Sequence, residues 1–202
     1  MPLDSQNQIS TANSPMGNSL RGNSLMGRRR LLRMGLAAAA GTFAPGGAWA
    51  SLPPSTERSL AFYNTHTNET LKATYWRHGA ADHGALTDIN HILRDFRTGD
   101  VFPMDVKLLD LLTELHRRTG SNQPFQVISG YRSPKTNSTL AAESNGVAKH
   151  SMHLEGKAID IRLADVPLRT LHDTAVAMKA GGVGIYPESN FVHVDTGRVR
   201  YW

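Results

Sequence analysis

The chain has 202 residues, with 22 Lys+Arg against 17 Asp+Glu, nine His and no Cys. That length suits one compact domain with appendages. The missing thiols exclude a disulfide framework, a Cys-ligated zinc finger, an iron–sulfur cluster and a thiol nucleophile. The net charge of +5 does not mark a nucleic-acid surface, because residues 1–50 hold five Arg (Arg21, Arg28, Arg29, Arg30, Arg33) against one acid, Asp4. The other 152 residues carry 17 basic and 16 acidic side chains and all nine His, so no basic footprint remains to explain.

Residues 1–25 are rich in Ser, Asn and Gly and too poor in apolar side chains to fold. A basic run, Gly27 to Arg33, then precedes an apolar stretch from Met34 to Phe43 and a small-x-small exit, Ala48-Trp49-Ala50. This order predicts a disordered extension and a secretory signal peptide over 1–50. The apolar run is too short and Gly-rich for the roughly 20 residues of a membrane span, so no stable span is expected in the mature chain. Arg28-Arg29, followed by Leu31-Leu32-Arg33, resembles the bacterial twin-arginine signal. It implies the twin-arginine export machinery as a partner and a periplasmic location. Residues 51–58, with Pro53-Pro54, read as a linker, and 59–202 as the working domain.

In that domain Ser59–Thr65 and Leu71–Arg77 read as a β-hairpin around Thr67-Asn68-Glu69. Leu86–Phe96 has apolar residues at the spacing of one helix face, with Thr87 or Asp88 as cap and Gly99 beyond its end. Pro103-Met104-Asp105 opens a stronger helix, Val106–Arg118, which Gly120 closes. Phe125–Ile128 is a strand, Tyr131–Ser151 a polar stretch, and Ala158–Leu163 a second core strand. Pro167 starts a helix through Lys179, which Gly181-Gly182 stops. Val183–Tyr186 and Phe191–Asp195 are strands joined by Pro187-Glu188-Ser189-Asn190. The order lacks regular βαβ alternation and predicts an α+β fold with a mainly antiparallel central sheet and packed helices. Gly181-Gly182-Val183-Gly184 follows a helix and so is not a dinucleotide loop. Ser129 lacks the flanking pattern of a nucleophile elbow.

The chemistry concentrates in His153, Asp160 and His193. His153 lies on a loop or strand end before Gly156, and Asp160 lies on the following strand. Alternation in Phe191–Asp195 puts His193 and Asp195 on one face. Two imidazoles and a carboxylate suit Zn2+ with a fourth position left for water; a core His in a hydrogen-bonded turn beside a surface Asp would give the same spacing. The string Ser151-Met152-His153-Leu154-Glu155-Gly156-Lys157-Ala158-Ile159-Asp160 resembles the zinc motif of the LAS metallopeptidases, the group of D-Ala-D-Ala carboxypeptidases, lysostaphin and hedgehog domains. Ser129-Gly130-Tyr131-Arg132-Ser133 and the closing His193 match the same group. Ile89–Thr98, Ser129–Asn137, Gly146–Asp160 and Gly181–Trp202 look like its murein endopeptidase K branch. The resemblance covers nearly all of the mature chain. It implies a hedgehog/DD-peptidase-like fold, zinc ligands His153, Asp160 and His193, and a substrate in peptidoglycan stem peptides.

The expected activity is hydrolysis of an amide in peptide cross-links, as an L,D- or D,D-endopeptidase. The competing classes are a D,D- or L,D-carboxypeptidase, a non-catalytic zinc-containing cell-wall-binding module, and a serine hydrolase that no motif marks. Carboxypeptidase-like members carry an acid three residues before the last ligand, where this chain has Asn190. The remaining candidates for catalysis are Asp195, as base or as a carboxylate orienting a ligand ring, His150 in the polar loop, and Arg132, a permanent cation suited to a substrate carboxylate or a developing oxyanion. Tyr131, Ser151 and Trp202 are candidate cleft-lining residues.

Overall fold

The computed structural model describes residues 57–143, 148 and 150–202. The leader and the residues 51–56 of the linker lie outside the described residues. Among the described residues no helix is long and apolar enough to cross a membrane.

Strand β1 (Glu57–Asn64) pairs antiparallel with β2 (Thr70–Arg77), as the hairpin pattern predicts; Asn68 takes the left-handed turn position at φ 60°. A short β3 (Ala80–Ala81) adds to β2. Helix α1 runs His83–Ile92, earlier at both ends than the predicted Leu86–Phe96. Its cap is neither Thr87 nor Asp88: the Asp82 carboxylate accepts from the Ala85 N–H, satisfying a donor that the helix start leaves unpaired. The helix stops short because buried Asp95 draws the next turn onto itself. Its carboxylate accepts from the N–H groups of Arg97 and Ser133. Burial alone would raise Asp95, yet these N–H groups and the Ser133 and Thr136 hydroxyls pull it down to about 2.

Helix α2 (Val106–Thr119) follows its prediction, capped by Asp105 through the Lys107 N–H and ended by Gly120 at φ 68°. Its Leu108, Leu109, Leu111, Leu112 and Leu115 are buried, each worth roughly 1.5–3 kcal/mol relative to exposure. Strand β4 (Phe125–Ser129) comes next. The polar stretch then hides helix α3 (Pro134–Glu143). Its apolar content is too low for a periodic signal, but Ser133-Pro134 is a start signal: the Ser133 hydroxyl accepts from the Thr136 N–H and Pro134 needs no donor there. A 3-10 turn (Met152–Glu155), β5 (Ala158–Arg162), α4 (Leu168–Met178), β6 (Gly182–Tyr186), β7 (Phe191–Asp195) and an unpredicted β8 (Arg200–Tyr201) complete the order. Helix α4 is ended by Lys179 in the left-handed region, ahead of the glycine pair.

The eight strands form one sheet in the order β3-β2-β1-β4-β5-β7-β6-β8. This corrects the expectation of a mainly antiparallel sheet: the sheet is mixed, because β4 runs parallel to β1 and β8 parallel to β6. The chain crosses from β2 through α1 and α2 before β4, long enough to return a strand in the same direction. Ile159, Ile161, Val192 and Val194 join the leucines of α2 and Leu171 of α4 in the core. Strand alternation therefore turns Asp160 and His193 to the opposite face.

Candidate metal centre and active-site cleft

Antiparallel pairing sets Asp160 of β5 directly across from His193 of β7, so both side chains meet on the face away from the core. His153 is brought to them by the 3-10 turn. Ser151 caps that turn by accepting from the His153 N–H, and Gly156 closes it at φ 63°. A side chain at Gly156 would strike the Pro103 carbonyl, so the glycine serves both the turn and the close approach. The Arg132 N–H donates to the His153 carbonyl at 3.2 Å, tying the turn to the end of β4.

His153, Asp160 and His193 are all buried, and one donor atom from each lies within 4.8 Å of the others. Asp160 Oδ1 is 2.8 Å from His193 Nδ1 and 3.3 Å from His153 Nε2, and the two imidazole nitrogens are 3.2 Å apart. Tetrahedral ligands bonded at about 2.0–2.1 Å stand about 3.3 Å apart, so this donor triangle fits zinc. Tautomers fit as well. His153 Nδ1 donates to the Gly130 carbonyl at 2.7 Å, which leaves the Nε2 lone pair for a metal. His193 uses Nδ1 toward the triangle and donates from Nε2 to Asp195 Oδ2 at 3.0 Å.

Electrostatics hold the group ready. Burial would raise Asp160, but His153 and His193 beside it keep the carboxyl well below the usual carboxylate range. Burial would lower His193, yet the carboxylates of Asp160 and Asp195 on its two sides push it up to about 9. Below that value, and with no metal bound, both ring nitrogens of His193 carry protons.

Asp195 shares the His193 face, as alternation predicts, but it is fully enclosed at 0 % exposure. Oδ1 accepts from the N–H groups of Gly182 and Gly197 and from Arg200 Nη1; Oδ2 accepts from Arg200 Nη2 at 2.7 Å as well as from His193. Burial is outweighed by these donors, and its carboxyl lies well below the usual range. Such a carboxylate is a poor proton acceptor and has no face toward solvent. Arg200 had no sequence signal beyond its place five residues on.

A cleft of about 690 Å³ opens over the triad. Arg132 lines it, with its side chain 12 % exposed and Nη2 3.6 Å from Asp160 Oδ2. Its Nε is buried and has no hydrogen-bond partner among the described residues, an arrangement that burial for stability alone would not favour. His150 and Ser151 line the cleft, and so does Trp202, whose ring centroid is 5.3 Å from that of His193. Tyr131 does not: it is buried and stacked on Phe102. Asn190, at the position of the acid in carboxypeptidase-like relatives, is an exposed turn residue at φ 53°. Among the described lining residues Asp160 is the one carboxylate, and apart from three arginines the titratable side chains outside the triad are His66, His150 and Tyr186. Every ring nitrogen of His153 and His193 is engaged without a serine, which leaves no Ser–His pair at the triad.

Residues 53–202 match the family described as peptidoglycan L,D-endopeptidase MepK. The chain belongs to this family. The peptidoglycan L,D-endopeptidase MepK of Escherichia coli (strain K12) is 41% identical over 175 residues, 87% of this chain and 96% of that protein. The protein of the same name from Shigella flexneri matches equally. A probable peptidoglycan L,D-endopeptidase MepK from Haemophilus influenzae is 38% identical over 176 residues, covering 87% of this chain and 95% of its own. The MepK match spans the whole cleft, from Arg132 through the triad to Trp202.

Proposed function

We propose that this chain is a zinc-dependent murein endopeptidase that hydrolyses an L,D amide in peptidoglycan cross-links. The observation that carries the reading is the buried His153–Asp160–His193 donor triangle on the floor of an open cleft, in a chain of the MepK family. The mixed sheet bearing Asp160 and His193, with His153 on the adjoining 3-10 turn, is consistent with a hedgehog/DD-peptidase-like fold. Export by the twin-arginine route, read from Arg28-Arg29, would put the protein in the periplasm, where stem peptides are within reach.

His153 Nε2, Asp160 and His193 Nδ1 would hold the zinc. When bound, it lowers the pKa of a water molecule and polarises the scissile carbonyl. The chain supplies the rest. Arg132, permanently charged and held beside the triad, faces the oxygen of that carbonyl as charge grows on it. His150 moves the proton, taking it from the attacking water and giving it to the departing amine; it lines the cleft and is exposed. Asp195 orients His193 and takes no part in proton transfer. Gly130, through its carbonyl, sets the tautomer of His153.

The reading is tested by incubating purified sacculi that contain both L,D and D,D cross-links with the zinc-loaded protein and identifying the released muropeptides. Loss of L,D-linked dimers, with His153→Ala inert, is the expected result. Release of D,D-linked products alone, or equal digestion by His153→Ala, would contradict it.

A further inference from the structure

The cleft that Arg132 lines holds a second cation that has no counter-ion among the described residues. Arg97 lines the cleft and is exposed. The other two arginines of the lining face carboxylates, Arg132 with Asp160 at 3.6 Å and Arg200 with Asp195 at 2.7 Å. Among the described residues Arg97 has no acidic partner within ion-pair distance.

Arg97 is also supported as a binding group is. Its guanidinium carbon lies 4.2 Å over the Phe96 ring, and Phe96 stacks on His66 with centroids 3.8 Å apart and planes within 9°. His66 is fixed in turn by donating Nε2 to the Ile128 carbonyl at 3.0 Å. The Arg97 N–H is held by buried Asp95, whose other oxygen accepts from the Ser133 N–H at the start of α3. A three-layer stack on a buried anchor presents the fork to the cleft with few conformations left to lose on binding.

The chemistry of the bond says which anion belongs there. In an amide between an L acyl centre and a D amino centre, the acyl residue has spent its carboxyl in the bond itself. A carboxylate next to the bond can therefore belong only to the nitrogen-side residue, one carbon from the departing nitrogen. We propose that Arg97 is the specificity-determining residue that binds this free carboxylate, leaving Arg132 for the reacting carbonyl. The proposal rests on the endopeptidase reading and deepens it.

The experiment uses the zinc-loaded protein and the amine-side product, a stem peptide with that carboxylate either free or amidated, with binding measured by calorimetry. Wild type binds the free carboxylate about 10- to 100-fold tighter than the amide, the range of a charge-assisted hydrogen bond. Arg97→Gln binds both as wild type binds the amide, and Arg97→Lys keeps part of the difference. With the cross-linked substrate, Arg97→Gln raises KM by a similar factor and leaves kcat within about twofold. Equal binding of the two products by wild type, or undiminished discrimination by Arg97→Gln, overturns the proposal. Sacculus digestion separates the two levels: if wild type does not cut L,D cross-links, the endopeptidase reading fails and this one with it. If wild type cuts them and Arg97→Gln still discriminates, only the role of Arg97 is lost.

Discussion

Asp195→Asn lowers zinc affinity roughly 10- to 100-fold, the usual effect of losing the carboxylate behind a metal-bound imidazole, while kcat at saturating zinc stays near wild type. The reason is a tautomer. Asp195 accepts the Nε2 proton of His193, which leaves Nδ1 to face Asp160 and the metal. Two backbone N–H groups and Arg200 pin the carboxylate in place. If an asparagine turns its NH2 toward His193, Nε2 must accept, the proton moves to Nδ1 and the metal position is blocked. If it turns its carbonyl there instead, the NH2 faces the N–H groups of Gly182 and Gly197 and all of these donors are left unpaired. Zinc titration followed by kinetics at each metal concentration checks this. Were Asp195 the catalytic base, kcat would collapse at normal zinc content.

Zinc affinity is expected to rise about tenfold per pH unit between pH 7 and 9 and to level off above. Asp160 and Asp195 flank His193 and raise it to about 9. Below that pH a proton occupies Nδ1, and zinc must displace it to bind. The sign follows from competition: more protons, weaker binding, until His193 is neutral without help. Calorimetry in buffers of different ionisation enthalpy should record release of about one proton per zinc at pH 7. Affinity independent of pH across this window would show that His193 is not held protonated by its two neighbours.

The triad was legible chiefly through its resemblance to a zinc motif; spacing alone left a core His beside a surface Asp open, because Asp160 and His193 meet only when β5 pairs with β7. Strand alternation turns His193 and Asp195 to one face, and a turn at Gly156 folds His153 back toward Asp160. Helix α2 was plain, with five buried leucines between an Asp cap and a left-handed Gly. The role of Asp195 was not readable. It depends on what covers it: Arg200 comes from β8 and the Gly182 N–H from β6, whose approach no spacing in the sequence encodes, and the Gly197 N–H from the turn after β7. The parallel pairing of β4 with β1 was missed for a similar reason, since alternation reports which face of a strand is buried and not the direction of its neighbour. Helix α3 was missed because a polar helix has no apolar period, although Ser133-Pro134 announced its start. In the sequence Arg97 is one charged residue after an apolar run. Only the stack on Phe96 and His66, and the absence of an acid beside it among the described residues, set it apart.

The central claim, that a metal held by His153, Asp160 and His193 drives amide hydrolysis in murein, is tested most directly by stripping and restoring the metal. The protein is dialysed against a chelator, its metal content is measured, and sacculus digestion is followed as zinc is returned. The expected result is loss of digestion with loss of metal, and recovery that saturates at one zinc per chain. Digestion that continues at full rate in the metal-stripped protein would contradict it.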